Sequence, residues 1–310
     1  QDGRFQVTVE NRTIDFRVSS LPTIFGEKIV MRILDKSSLL LNLNRLGFEP
    51  DELQRFYRMI ERPYGMVLLT GPTGSGKTTT LYSALNHVSS PDLNIITIED
   101  PVEYILDDIN QIQVKPKIDL TFANSLRSIM RQDPDIIMVG EIRDRETAEI
   151  AIHAALTGHL VFSTLHTNTA PGAVTRLQEM GVASFLISSA IIGVVAQRLA
   201  RKVCEYCKYP VELDGDAALD LTEGKKDHVV VYKGKGCSRC TSGYKGRIAV
   251  HSIFDLNDYL REMILNHATE RDLTETARKE GMRTLRENAA IKVLAGIISP
   301  EEMYRVTADI

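Results

Sequence analysis

The sequence contains no tryptophan, only 6% aromatic residues and four cysteines in 310 residues. A chain so poor in rings has no tract of interleaved aromatic and basic residues on which single-stranded nucleic acid would stack. Its net charge of −4 is too balanced for a surface built around a polyanion, although a local basic patch is compatible with it. Four cysteines are too few for a stapled secreted scaffold. Long apolar runs are missing too. The longest, residues 182–196, is broken by Ser184, Ser188 and Ser189. A membrane-spanning helix needs about 20 apolar residues, so this stretch reads as a buried core helix. No signal peptide is visible, and a start at Gln1 reads as a fragment boundary. The remaining composition, 43% hydrophobic and 25% charged, excludes a disordered or collagen-like chain and allows two domains or three smaller units.

The first residues alternate: Phe5, Val7 and Val9, a turn at Asn11 and Arg12, then Ile14, Phe16 and Val18, with a third apolar segment at 29–34. That is too short for an independent domain and reads as the end of one. Residues 35–44 read as a linker whose Leu39, Leu40 and Leu41 should pack somewhere. Leu53, Phe56, Tyr57 and Ile60 lie at helical spacing. Short apolar strands then alternate with helical stretches: strands at 66–69, 95–98, 136–139 and 160–165, helices at 77–88 and 145–156. This order predicts an α/β fold with a mostly parallel sheet covered on both faces. The expected divisions are 1–36, a linker at 37–45, an α/β core at 46–203, a cysteine segment at 204–250 and a helical region at 251–310. Ser299-Pro300-Glu301-Glu302 reads as a helix start with a capping box.

Gly71-Pro72-Thr73-Gly74-Ser75-Gly76-Lys77-Thr78 matches the phosphate-loop pattern G-x-x-x-x-G-K-[ST] between a strand and a helix. Glycines let backbone N–H groups turn inward around phosphates, and the helix N-terminus adds positive dipole. Lys77 is expected on the β- and γ-phosphates, the Thr78 hydroxyl on Mg²⁺, and Thr79 beside it. Carboxylates follow two strands, as Glu99-Asp100-Pro101-Val102-Glu103 and as Gly140-Glu141. The second departs from a Walker B strand, because Gly140 stands where an aspartate would hold Mg²⁺. Metal support and water activation therefore divide between Glu141 and the first cluster. His159 and His166 flank the 160–165 strand, where a neutral imidazole can report the loss of a γ-phosphate or simply pack.

Cys204-x-x-Cys207 and Cys237-x-x-Cys240, twenty-nine residues apart, can each place two thiolates on one side of a tetrahedron and together close a structural Zn²⁺ site. Two pairs, without a thioredoxin-like context, weigh against a redox role.

The four motifs at 71–78, 98–103, 139–144 and 157–168, in that order, resemble the Walker A, Asp box, Walker B and His box of the secretion-superfamily ATPases. The closer resemblance is to the type IV pilus assembly (extension) and type II secretion ATPases, and it covers nearly the whole chain. The tetracysteine segment fits those branches and not the retraction ATPases. The resemblance implies a RecA-like core after part of a PAS-like domain, with ATP bound against the amino-terminal half. Glu103 matches the catalytic base, with Glu99 and Asp100 in support and Glu141 organising Mg²⁺. His159 and His166 match the His-box pair, while Arg4, Arg17 and Arg32 match arginines that reach the phosphates. It further implies a homo-hexamer on the cytoplasmic face of a bacterial inner membrane, driving a membrane platform protein, with an amino-terminal docking domain lying before Gln1. No nucleic acid is expected as a partner. A nucleic-acid motor and a nucleotide switch without turnover are the readings that compete with it.

Overall fold

In the computed structural model, which describes residues 1–9, 12–35 and 42–308, the alternating apolar residues at the start form an antiparallel sheet of β1 (Asp2–Val9), β2 (Arg12–Thr23) and β3 (Gly26–Asp35). The expected turn residue Asn11 and most of the linker, with Leu39 to Leu41, lie outside the described residues. This sheet belongs to one compact unit, Gln1–Leu41; the second unit is Asn42–Ile310.

The second unit opens with α1 (Pro50–Ile60), which buries Phe56, Met59 and Ile60. Then come β4 (Gly65–Thr70), α2 (Lys77–Val88), β5 (Ile95–Glu99), β6 (Asn110–Gln113), α3 (Phe122–Ile129), β7 (Ile136–Val139), α4 (Arg145–Leu156) and β8 (Leu160–Leu165). The strands β4, β5, β7 and β8 are buried along their whole length, so both faces are covered, as their unbroken apolar runs require. Fully burying a leucine such as Leu68 or Leu69 stabilises the sheet by about 2 kcal/mol.

Next are α5 (Gly172–Glu179), α6 (Ser184–Ala190), β9 (Ile191–Val203), β10 (Lys208–Asp214), α7 (Asp216–Leu221), β11 (His228–Gly234) and β12 (Tyr244–Asp255). The helices α8 (Asp258–Leu265), α9 (Glu270–Lys279), α10 (Leu285–Leu294) and α11 (Pro300–Thr307) close the chain. Seven strands share one sheet in the order β12-β9-β4-β8-β7-β5-β6, all parallel except β12, which runs antiparallel to β9. Strands β10 and β11 form a separate two-stranded sheet.

Two expectations need correction. Residues 182–196 are not one helix: α6 ends at Ala190 and Ile191 begins β9. From there Ile191, Ile192, Val194 and Val195 are β-branched, and the strand fits between β4 and β12. At Gly193 a Cβ would sit 3.0 Å from Phe254 O and force the end of the Met59 side chain to move. At α11, Ser299 does cap Glu302 N, but the Glu302 carboxylate does not complete a capping box. It accepts from Arg201 N and Nη2, each at 2.8 Å, and from Arg305. Strands β9 and β12 pair with each other across positions 203 and 250 within the compact unit Asn42–Ile310.

Candidate active site and metal centre

The carboxyl ends of the parallel strands gather the nucleotide motifs. After Thr70 the chain turns through three glycines at positive φ, Gly71 (147°), Gly74 (81°) and Gly76 (90°), before α2 begins at Lys77. A side chain at Gly71 would bring Cβ to 2.4 Å from Gln197 O. Lys77 is 9% exposed, and its Nζ donates to Gly71 O at 2.6 Å and Pro72 O at 3.1 Å. Burial pushes its pKa down to about 8, against the attraction of Glu141 and with help from Arg198. Ser75 Oγ is buried without a hydrogen-bond partner. Pro72, Thr73, Gly74 and Thr78 are exposed, and Thr79 is half-buried. An inward glycine turn, an orphaned hydroxyl, a lysine on loop carbonyls and a helix N-terminus together fit a phosphate group.

The loop is braced from β9. Gln197 Nε2 donates to Ser75 O at 2.7 Å, and its Oε1 accepts from Thr80 at 2.8 Å. Arg198 donates to Asn168 O and Oδ1, each at 3.1 Å. Thr70 Oγ1 accepts Thr167 N at 2.9 Å, joining the ends of β4 and β8.

Glu141, just past β7, accepts from Arg143 and lies 3.2 Å from His166 Nε2. Glu141 and His166, expected as the Walker B glutamate and the second His-box histidine, are therefore partners. Gly140 has a packing reason: a Cβ there would press to 3.3 Å on Glu99 Cα. Glu103 is half-buried on the loop after β5, and Asp100 is exposed. Glu99 plays another part than expected. It is 3% exposed, with Oε1 accepting from Thr97 at 2.7 Å and Gln111 at 3.1 Å, and Oε2 accepting from Tyr82. Burial raises its pKa against these donors. It is a brace inside the loop, with both oxygens committed. His159 is not brought to the site. It precedes β8, its backbone O accepting from Gly65 N at 3.1 Å and its Nδ1 2.9 Å from Ala154 O, and one strand length of about 20 Å separates it from His166.

In the first unit Arg4 pairs with Arg17, and Arg17 with Arg32, so the three arginines form one row across β1, β2 and β3. The side chain of Arg4 is outside the described residues. On the other face Phe5 stacks on Phe16 with ring centroids 4.8 Å apart.

The four cysteines converge. Their Sγ atoms all lie within 4.8 Å of one another, with Cys204–Cys237 at 4.0 Å, Cys207–Cys240 at 3.8 Å and Cys237–Cys240 at 3.6 Å. A tetrahedron with Zn–S bonds of about 2.3 Å has edges of about 3.8 Å. The two turns match: Cys207 N donates to Cys204 O and Cys240 N to Cys237 O, both at 3.2 Å. Gly243, at φ 87°, lets the chain cross Gly234 so closely that a Cβ on Gly243 would meet Gly234 O at 2.4 Å and one on Gly234 would meet Gly243 O at 2.1 Å. The clustered thiols titrate together: against burial, the backbone N–H groups of Cys237 and Gly243 and the neighbouring thiols lower Cys240, while burial and the same thiols push Cys207 up. These four residues are placed to hold a metal ion.

A family profile described as "Type II/IV secretion system protein" matches residues 1–305. The chain belongs to that family. Relatives include the type II secretion system ATPase E of Vibrio cholerae, 48% identical over all of this chain and 61% of its own length. The type IV pilus assembly ATPase PilB of Thermus thermophilus is 51% identical over all of this chain and 35% of its own. The chain therefore spans about a third to three fifths of the curated relatives it matches. Among solved structures, the pilus retraction motor PilT with bound ADP has a TM-score of 0.69 and 27% identity, over 99% of this chain and 78% of that one. The ATPase DotB of Legionella pneumophila, at 23% identity and TM-score 0.70 over all of this chain and 78% of that one, shares the fold. Among the described residues no helix is long and apolar enough to cross a membrane.

The secretion-family motifs mark the residues at the site but not those that hold it. Gln197 and Arg198 left one trace in the sequence, two long polar side chains directly after the apolar run 191–196. Tyr82 and Gln111 left none. Each is an ordinary residue in its own element and acquires partners only through the fold.

Proposed function

We propose that this chain is the motor core of an ATPase that powers type IV pilus assembly, working as a homo-hexamer on an inner-membrane platform protein at the cytoplasmic face. The observation that carries the reading is the loop at 71–78, with the buried Lys77 beneath it and Glu141 and the Glu103 loop at neighbouring strand ends. Lys77 and the backbone N–H groups of 71–78 would bind the β- and γ-phosphates. Thr78 and Glu141 would hold Mg²⁺, which neutralises phosphate charge when bound. Glu103 orients the attacking water. His166 fixes the Glu141 carboxylate, and Arg4, Arg17 and Arg32 supply cations to the transition state. Loss of the γ-phosphate removes contacts made in one nucleotide state alone, which is how binding energy becomes movement. The cysteine centre takes Zn²⁺ in a structural role.

Type II secretion is the second reading, favoured by relatives of that name at 46–50% identity over the whole chain. The test of the enzymatic core is Mg²⁺-dependent ATP hydrolysis by the chain and by Glu103→Gln. The variant should bind ATP and lose at least about 100-fold in kcat; equal turnover would remove Glu103 from its role. Metal analysis should give one zinc per chain, and Cys237→Ser should release it and loosen the 204–243 segment. Four thiols freely modified in the purified chain would refute the zinc assignment.

A further inference from the structure

The loop that carries Glu103 leaves β5 at Glu99 and rejoins the sheet at β6, and two side chains, the buried Tyr82 and the half-buried Gln111, clamp it from opposite ends. Tyr82 on α2 is fully buried. Its hydroxyl donates to Glu99 Oε2 and accepts the backbone N–H of Glu103 at 3.3 Å. Gln111 on β6 does the complementary work. Its Nε2 donates to Glu99 Oε1 at 3.1 Å and to Tyr104 O at 3.0 Å, while its Oε1 accepts Leu106 N at 2.7 Å. The ring of Tyr82 also meets Tyr104 edge to face, with centroids 6.2 Å apart. The backbone at 103, 104 and 106 is thus tied to a single buried carboxylate by one residue from a helix and one from a strand.

We propose that Tyr82 and Gln111 are positioning residues for ATP hydrolysis: through Glu99 they fix the backbone beneath Glu103 relative to the first turn of α2. The helix makes this a coupling. Tyr82 lies five residues beyond Lys77, about 7.5 Å along a rigid rod whose N-terminus receives the phosphates. The same rod therefore sets the phosphate and the loop that aims the water. A misplacement of 1 Å between reacting groups costs about 100-fold in rate, so slack in this clamp should appear in turnover. A hydroxyl that only satisfied a buried carboxylate would affect stability and leave the chemical step alone.

The proposal rests on Glu103 as the carboxylate that orients water, and the test separates the two. Steady-state hydrolysis, affinity for a non-hydrolysable ATP analogue and thermal unfolding would be measured on the assembled chain for Tyr82→Phe, Gln111→Met, Glu103→Gln and the pair Tyr82→Phe/Glu103→Gln. Both clamp variants should lose roughly 10- to 100-fold in kcat, with KM and analogue affinity within about twofold. The pair should turn over no more slowly than Glu103→Gln alone, because the clamp acts through that residue. An unchanged kcat in both clamp variants, a parallel loss of analogue affinity, or a multiplied loss in the pair would overturn the proposal. If Tyr82→Phe does not fold, Gln111→Met carries the same expectation from the other end. Wild-type turnover in Glu103→Gln would overturn the reading of Glu103 itself, whatever the clamp variants do.

Discussion

Two buried lysines of the same unit are held in different ways. Lys292, 2% exposed on α10, donates to Glu49 Oε1 at 2.7 Å and Gly47 O at 2.6 Å, so its charge is matched by a carboxylate in direct contact. Lys77 rests on two loop carbonyls, and the carboxylate whose charge acts on it, Glu141, is already engaged by Arg143 and His166. A buried cation on neutral acceptors is costly, which is why Lys77 titrates near 8. The difference separates a lysine that ties the chain leading into α1 to α10 from one disposed to receive an anion.

The largest stability effect tests this contrast directly. Lys292→Met removes the buried member of a pair whose carboxylate, Glu49, is only half-buried, so unfolding free energy should fall by about 2–3 kcal/mol, discounted for the water that reaches Glu49. The same substitution at Lys77 removes a charge whose partners are carbonyls, and stability should change by about 1 kcal/mol or less while ATP affinity collapses. Denaturant unfolding of the two variants checks both. Equal losses would show that Lys77 is a structural lysine and erase the distinction.

The same contrast explains what could be read from the sequence. The strands β4, β5, β7 and β8 were legible because a strand buried on both faces must be apolar throughout, and α2 because a phosphate loop fixes its first residue. The glycines, Lys77, Glu141 and the cysteines were legible because their chemistry demands a spacing. Residues whose partners lie far along the chain were not. Gln197 reaches Ser75 and Thr80, Gln111 reaches Glu99 and Tyr104, and Tyr82 reaches Glu99 and Glu103. His159 and His166 were read as flanking the 160–165 strand, and the length of that strand keeps them at opposite ends of the sheet. The switch from α6 to β9 at Ala190 escaped because an apolar run shows no period to distinguish helix from strand. Its decision came from pairing with β4 and β12.

Two buried glutamates sharpen the comparison at smaller cost. Glu99 is ringed by neutral donors, and burial raises its pKa. Glu302 is equally buried but faces two guanidinium groups. Against burial, Arg305 and Arg201 hold it down at about 2, below the usual 4.5. The sign follows from linkage: a depressed carboxyl contributes stability that is present above pH 4.5 and is lost as pH falls toward 2. A shift of that size corresponds to about 3 kcal/mol, reduced to about 2 because both arginines are half exposed to screening water. Glu302→Gln should therefore be less stable than the wild-type chain by about 2 kcal/mol at pH 7, and the gap should narrow steadily between pH 4.5 and pH 3 in urea titrations. A gap that persists undiminished at pH 3 would mean that Glu302 secures α11 to β9 by shape and hydrogen bonding, with its charge immaterial.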